Sequence, residues 1–325
     1  MQLNKKFLKA IELAQNILIT THIFPDADGI GSQISLCHAL ELYGKRSICF
    51  NEEELLGRYK YLDPTNKVFS IAEITAMEFK PDLIIVVDTN SKERTGQKMM
   101  SYYDSQNCEF LFIDHHPCDQ EDKENYCIDT SSAATGQITG ELIIEMNIPF
   151  TKEMALALYT AIIIDTSSFR YPTVSYRTHQ LVGELLKTGI EPTTAYNGIY
   201  GTKGIEHLHL LGKILSSANT NKNQDIYWIV FDQDDLDNYQ TDIEDTHGFI
   251  NHLLIMNNVK VACMIRDGGD HVKVSLRSLG HYDVGIIAAK LGGGGHSHSA
   301  ATIIHKDKSL EEIIQTTIKT IEENI

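Results

Sequence analysis

Three short apolar runs in the first half of the chain each stop on an acid or a histidine. Residues 16–21 lead into His22, residues 83–87 end on Asp88, and residues 110–113 end on Asp114-His115-His116. Each run is β-branched or aromatic, which reads as a strand buried on both faces of a parallel sheet. In such a sheet, residues just past the carboxyl ends of the strands converge on one crevice. Acids and imidazoles placed there repeatedly therefore build a single site. A further acid, Asp165, closes the long Ala- and Leu-rich stretch 155–164, which reads as a buried helix.

From residue 1 to about 190 the pattern alternates strand and helix. Residues 29–42 keep Ile30, Ile34, Leu36, Leu40 and Leu42 on a broadly helical face, and Gly44 supplies a stop before a strand at 47–50. This is a βαβ opening, for which a right-handed crossover is expected. Helices are expected over 136–146, 152–164 and 176–186. Residues 191–218, rich in glycine at first and helix-like over 205–215, read as a connector between a domain at 1–190 and a smaller one at 219–325. In that second part, 226–231, 259–265 and 272–276 are strand-like, with a hairpin turn at 266–271. A helix at 284–291, a glycine run and a terminal helix complete it.

A length of 325 residues, 42% hydrophobic and 22% charged, suits two globular domains with their own cores. The amino terminus carries no secretory signal, and no apolar run approaches the roughly 20 residues of a membrane helix. A cytoplasmic protein with no membrane partner is expected. The six cysteines show neither a CxxC pair nor zinc spacing and read as reduced core residues. A net charge of −16 argues against a protein that coats long nucleic acid. It is compatible with an anionic substrate if divalent cations invert the field inside one cleft.

His22, Asp26, Asp28, Asp88, His115 and Asp165 offer four carboxylates and two imidazoles. Hard oxygen donors with a minority of nitrogens and no thiolate suit manganese or magnesium, with iron or cobalt as alternatives, better than structural zinc. Four buried anions repel one another, so either several are protonated or cations lie among them. Two divalent ions bridged by one carboxylate resolve the conflict. A pair of metals about 3.5–4 Å apart is the usual clamp for in-line displacement at phosphorus, which makes phosphoryl hydrolysis the expected chemistry. Singly, Asp26 and Asp28 also fit as turn or helix-cap residues. Near the other end, Gly292-Gly293-Gly294-Gly295-His296 has the composition of a phosphate-cradling turn or of a plain hinge.

Together these residues resemble the DHH phosphoesterase superfamily in its two-domain form, DHH plus DHHA1. The resemblance rests on HxxPDxDxxGS from His22 to Ser32, on Asp88, on Asp114-His115-His116 and on Asp165-Thr166-Ser167-Ser168-Phe169-Arg170. Ser275-Leu276-Arg277-Ser278 and the run ending at His296 extend it over nearly the whole chain. It implies an α/β fold: an N-terminal parallel-sheet DHH domain with helices on both faces, and a smaller mixed α/β DHHA1 domain across a cleft. The family's usual Ala-Ala-Gly after the glycine-histidine run is replaced by Ala300-Ala301-Thr302, reached through Ser297-His298-Ser299.

Carried over by position, the resemblance implies that His22 and Asp26 hold one metal and that Asp28, His115 and Asp165 hold the other. Asp88 would bridge them and, with His116, serve catalysis. His116 would face the substrate phosphate, and Asp114 would orient the imidazoles from behind. Arg277, Ser278, Gly293, Gly294, Gly295 and His296 would bind substrate. The implied substrates are short RNA or DNA oligonucleotides, cut to nucleoside 5′-monophosphates, and 3′-phosphoadenosine 5′-phosphate, which loses its 3′-phosphate. Alternatives are a cyclic or linear di-adenylate phosphodiesterase, a polyphosphate or pyrophosphate hydrolase, and a non-catalytic nucleotide sensor. The implied cofactor is two Mn2+ ions, and a homodimer fits the resemblance.

Overall fold

The computed structural model describes residues 5–74, 77, 79–106, 108–118, 124–295 and 297–325. They form two compact units, Met1–Thr202 and Lys203–Ile325.

In the first unit the strands are β1 (Asn16–Thr20), β2 (Arg46–Asn51), β3 (Val68–Ser70), β4 (Leu83–Val87), β5 (Glu109–Asp114) and β6 (Tyr126–Ile128). All pair in parallel, in the order β3-β2-β1-β4-β5-β6. The helices are α1 (Lys5–Leu13), α2 (Ala27–Leu42), α3 (Ile71–Ile74), α4 (Gln97–Tyr103), α5 (Thr135–Glu145), α6 (Lys152–Asp165), α7 (Tyr176–Leu186) and α8 (Pro192–Tyr200). Alternation along the buried strands divides the core. Ile17, Ile19, Leu83, Ile85 and Val87 pack with residues of α1, α2 and α5. Leu18, Ile84 and Val86 point the other way, to Met99 and Tyr103 of α4. Helices thus cover both faces, which is why these strands read as unbroken apolar runs.

The strand order reverses between β1 and β4. Such a switch point opens a crevice at the carboxyl ends of the two strands, because the helices following them leave toward opposite faces. The helix layer beside it is tight. A Cβ on Gly31 would lie 2.3 Å from Ala157 O, so α2 meets the backbone of α6 where only glycine fits. Gly31→Val is expected to destabilise the protein by about 1–3 kcal/mol through overpacking, read as a lowered denaturation midpoint with an unchanged urea m-value.

Short edge strands β3 and β6, three residues each, escaped sequence reading because so few residues show no period. Residues 191–218, read as a connector, include α8, whose Ala195 is buried in the first unit's core, and the helix α9 (Ile205–Ser216) of the second unit. At the end of β6, Asp129 accepts from Ser131, Ser132 and Arg177 of α7, and Arg177 also binds Glu141 of α5. Burial raises the Asp129 carboxyl, but the hydrogen bonds from Ser131, Arg177 and Ser132 outweigh it and bring it to about 2. Its stabilising effect is therefore complete above about pH 4 and lost as pH falls through about 2. Arg177→Ala is expected to cost about 1 kcal/mol at neutral pH, with the gap from wild type narrowing in urea melts taken toward pH 2.

The second unit has a mixed sheet of β7 (Asn219–Thr220), β8 (Ile226–Asp232), β9 (Val261–Asp267), β10 (His271–Ser278), β11 (Gly294–Gly295) and β12 (Ser299–His305), ordered β11-β12-β10-β9-β8-β7. Among the described strands of this sheet, only β8 and β9 pair in parallel. After β8 comes α10 (Gln233–Asn238). One face of the sheet packs on α9 and a 3-10 segment at Ile243–Ile255. The other packs on α11 (Val284–Lys290) and α12 (Leu310–Glu322). The hairpin expected at 266–271 is the β9–β10 turn.

Candidate metal centre

Every acid and imidazole singled out in the first half of the sequence gathers at the β1/β4 switch point. His22 follows β1, Asp26 and Asp28 open α2, Asp88 follows β4, His115 and His116 follow β5, and Asp165 ends α6. Potential ligand atoms of His22, Asp26 and Asp88 lie within 4.8 Å of one another, as do those of Asp28, His115 and Asp165. Asp88 belongs to the first group and also groups with His115 and His116, which links the two. Its Oδ2 is 3.4 Å from His22 Nε2 and its Oδ1 is 4.0 Å from His115 Nε2. His115 Nε2 is also 3.2 Å from Asp165 Oδ2 and 3.9 Å from Asp28 Oδ2.

Local backbone aims these groups. Asp26 is the N-cap of α2, accepting from the amides of Asp28 and Gly29, so the cap reading of this residue and its place in the cluster are both true. Asp88 sits at φ 61°, a left-handed conformation that aspartate tolerates better than most residues, and its amide donates to Ile113 O. Asp114 is fully buried, and its Oδ1 accepts from the amide of His116 and from His116 Nδ1 at 2.6 Å. Burial pulls the Asp114 carboxyl up, but the hydrogen bonds and charge of His116 outweigh it and hold it below the ordinary carboxylate value. An ionised Asp114 only accepts, so the His116 proton is fixed on Nδ1.

The helix α5 enters the same site, which sequence reading missed. No side chain caps it from Ala134. Instead the Asp28 carboxylate takes the amides of Thr135 and Gly136 at 2.7 and 2.8 Å, while Thr135 Oγ1 donates to Asp88 Oδ1 at 2.9 Å. The orphan amides and positive dipole end of a helix favour an anion there. The only sequence signal was a threonine beside the expected helix start. Even so, burial first, and then neighbouring carboxylates, push both Asp28 and Asp88 well above their ordinary values. Among the described residues, only imidazole nitrogens come within 4.0 Å of these two carboxylates as charge partners. An oxygen-rich pocket of buried, mutually repelling acids with imidazoles beside them fits divalent metal ions.

Past Asp165 the chain makes an unusual turn. Ser167, Ser168 and Phe169 have φ of 50°, 62° and 64°, a left-handed run without glycine. Each such residue costs about 1–2 kcal/mol. Dense local bonding holds the turn: Thr166 Oγ1 donates to Ile162 O and accepts from the Phe169 amide, Ser168 N donates to Ile163 O, and Arg170 N donates to Thr166 O. Strain of this kind persists where its surroundings over-determine it, and it concentrates at functional sites.

In the second unit, β12 lies between β10, which carries Arg277 and Ser278, and β11, which carries Gly294 and Gly295. A Cβ on Gly293 would meet Ala301 O at 2.2 Å, and Gly295 has φ 142°, so the run needs glycine for close approach and for backbone freedom. Ser278 is buried, with its hydroxyl 2.6 Å from Tyr282 O and 3.1 Å from His298 Nδ1. Arg277 donates from Nη1 to Leu276 O. His296 lies outside the described residues.

Residues 16–162 match the DHH family, N-terminal domain, and residues 211–323 match the DHHA1 domain. The chain belongs to the DHH family, in its DHH–DHHA1 form. This DHH–DHHA1 chain is 26% identical over 331 residues to a bifunctional oligoribonuclease and PAP phosphatase NrnA of Thermus thermophilus, covering 100% of itself and 94% of that protein. To the Bacillus subtilis protein of the same name it is 24% identical, covering 95% and 96%. Its fold matches the crystal structure of an exopolyphosphatase-related protein from Bacteroides fragilis with a TM-score of 0.87 at 25% identity, covering 98% of this chain and 94% of that one.

Thr135→Val keeps the helix amide and the side-chain shape but strips Asp88 of its hydroxyl donor. Divalent-ion affinity is expected to fall about 10–100-fold, as for other supports of ligating carboxylates, and Thr135→Ser to stay near wild type. Isothermal calorimetry with Mn2+ measures both.

Proposed function

We propose that this DHH–DHHA1 protein is a two-metal phosphoesterase that cuts short oligonucleotides to nucleoside 5′-monophosphates and removes the 3′-phosphate of 3′-phosphoadenosine 5′-phosphate. The observation that carries the reading is that Asp88 links two imidazole–carboxylate groups at the switch point of the sheet. Two relatives matched over nearly their whole length are named for these two activities, which supports the substrate class.

Under this reading His22 and Asp26 would hold one ion and Asp28, His115 and Asp165 the other, with Asp88 available to both. Manganese suits the oxygen-rich donor set with its two imidazoles. When bound, such ions polarise phosphoryl oxygens and activate water for in-line attack. Asp88 and the α5 terminus keep the site's geometry fixed before substrate arrives, which lowers the reorganisation needed in the transition state. His116, its Nδ1–H held by Asp114, orients its ring toward the substrate phosphate, where Nε2, when it too carries a proton, donates to a non-bridging oxygen and offsets its charge. Arg277, the backbone amides of Gly293 to Gly295, and His296 bind the rest of the nucleotide.

With Mn2+, the wild type is expected to release mononucleotides from di- to pentanucleotide RNA and phosphate from 3′-phosphoadenosine 5′-phosphate. Asp88→Ala is expected to lose about 10²–10³-fold or more of kcat, and His296→Ala chiefly to raise KM. Hydrolysis of polyphosphate with neither nucleotide cleaved would replace this reading by the polyphosphate one, the activity suggested by the name of the Bacteroides fragilis relative. Mn2+ is also expected to raise the melting temperature of the wild type and not of Asp88→Ala, since an ion that binds only the folded state stabilises it.

A further inference from the structure

We propose that Arg170 grips a second, non-reacting phosphate of the substrate and makes the enzyme select nucleotides that carry two phosphates. The inference rests on the phosphoesterase reading above and adds a substrate-binding residue to it.

The chain has 44 acidic against 28 basic residues, and its cations commonly find carboxylates: Arg177 pairs with Asp129 and Glu141, Lys67 with Glu41, and Lys203 with Asp245. Arg170 is exposed, and no described carboxylate lies within ion-pair distance of it. Its guanidinium is nevertheless held. Nε donates to Ser167 O at 2.8 Å and Nη2 donates to Ser167 Oγ at 2.7 Å. Those bonds occupy one edge of the planar group. The other edge, formed by Nη1 and the second Nη2 proton, keeps the paired donors that match a phosphate bidentately. A side chain fixed in this way loses little further freedom on binding.

The left-handed turn explains where that fork is held. Had α6 simply continued, residue 170 would lie about 7.5 Å further along the helix axis than Asp165. Instead the run at Ser167, Ser168 and Phe169 folds the chain back, and the Arg170 amide reaches Thr166 O at 2.9 Å. Ser167, which pins the guanidinium, is two residues from Asp165, so their Cα atoms are at most about 7.6 Å apart and the fork is tethered to the segment that carries this carboxylate. A strained, heavily bonded turn that ends in an arginine without an acid partner is difficult to explain as packing alone. Both proposed substrate types carry a second phosphate: the 5′-phosphate of 3′-phosphoadenosine 5′-phosphate and the next linkage of an oligonucleotide.

The test compares 3′-phosphoadenosine 5′-phosphate with adenosine 3′-monophosphate, which presents the same reacting phosphate without the second one. Arg170→Ala is expected to lower kcat/KM for the bisphosphate about tenfold or more, mainly through KM, and to leave the monophosphate unchanged. The preference for two phosphates then collapses. Arg170→Lys keeps the charge without the fork and is expected to restore only part of it. Mn2+ affinity, read by calorimetry, should match wild type in both variants. An unchanged ratio between the two substrates in Arg170→Ala overturns the inference, and so does a loss of Mn2+ affinity that tracks the loss of activity, since Arg170 would then act through Asp165. A wild type that cleaves neither compound removes the parent reading instead. The inference then stands only if Arg170→Ala weakens calorimetric binding of adenosine 5′-monophosphate but not of adenosine.

Discussion

Asp28 and Asp88 are buried beside each other and beside Asp165, and carboxylates so placed in a low-dielectric interior oppose one another's ionisation. Much of the first unit can be understood as the means of holding that conflict in place. The parallel sheet brings strand ends together, and the reversal of strand order between β1 and β4 opens the space they face. Glycine and alanine between α2 and α6 let the two helices that carry Asp28 and Asp165 approach closely. The amino end of α5 then supplies two amides and a hydroxyl to the carboxylates. Cations complete the balance under the proposed function.

Several left-handed residues follow the same logic, while Asn66 and Asn147 lie elsewhere in the first unit. Phe24, between the segments that carry His22 and Asp26, is left-handed and largely exposed; Asp88 is left-handed at the end of β4; Ser167 to Phe169 are left-handed just past Asp165. Each lies within four residues of an acid or imidazole of the cluster. None is glycine, so the conformations persist against their intrinsic cost because neighbouring hydrogen bonds and packing over-determine them. A protein under pressure for stability alone would be expected to relax such positions to glycine.

In the second unit the left-handed non-glycine residues are Gln224, Gln240 and Asn258, none of them a candidate binding residue. Of its candidate residues, Arg277 and Ser278 lie on β10 and Gly294 and Gly295 on β11, with close backbone contact at Gly293 that any side chain would break. Rigid elements of this kind suit recognition of a phosphate, where pre-formed amide geometry matters more than side-chain reach.

The sequence by itself determined what is local. Short apolar runs with alternate faces specify buried strands. An acid or histidine at the end of each run specifies what the sheet will gather, so the six candidate ligands were legible by type and position. The three-residue edge strands were not, because no period exists in so few residues. Nor was Thr135, whose hydroxyl meets a carboxylate 47 residues away in the chain, or the left-handed turn after Asp165, written in residues that ordinarily avoid it. Those features depend on which elements become neighbours and on what their contacts force upon the backbone. Only the tertiary structure decided them, because a long-range hydrogen bond or a strained dihedral is stabilised by the assembled surroundings and leaves no signal in local propensity.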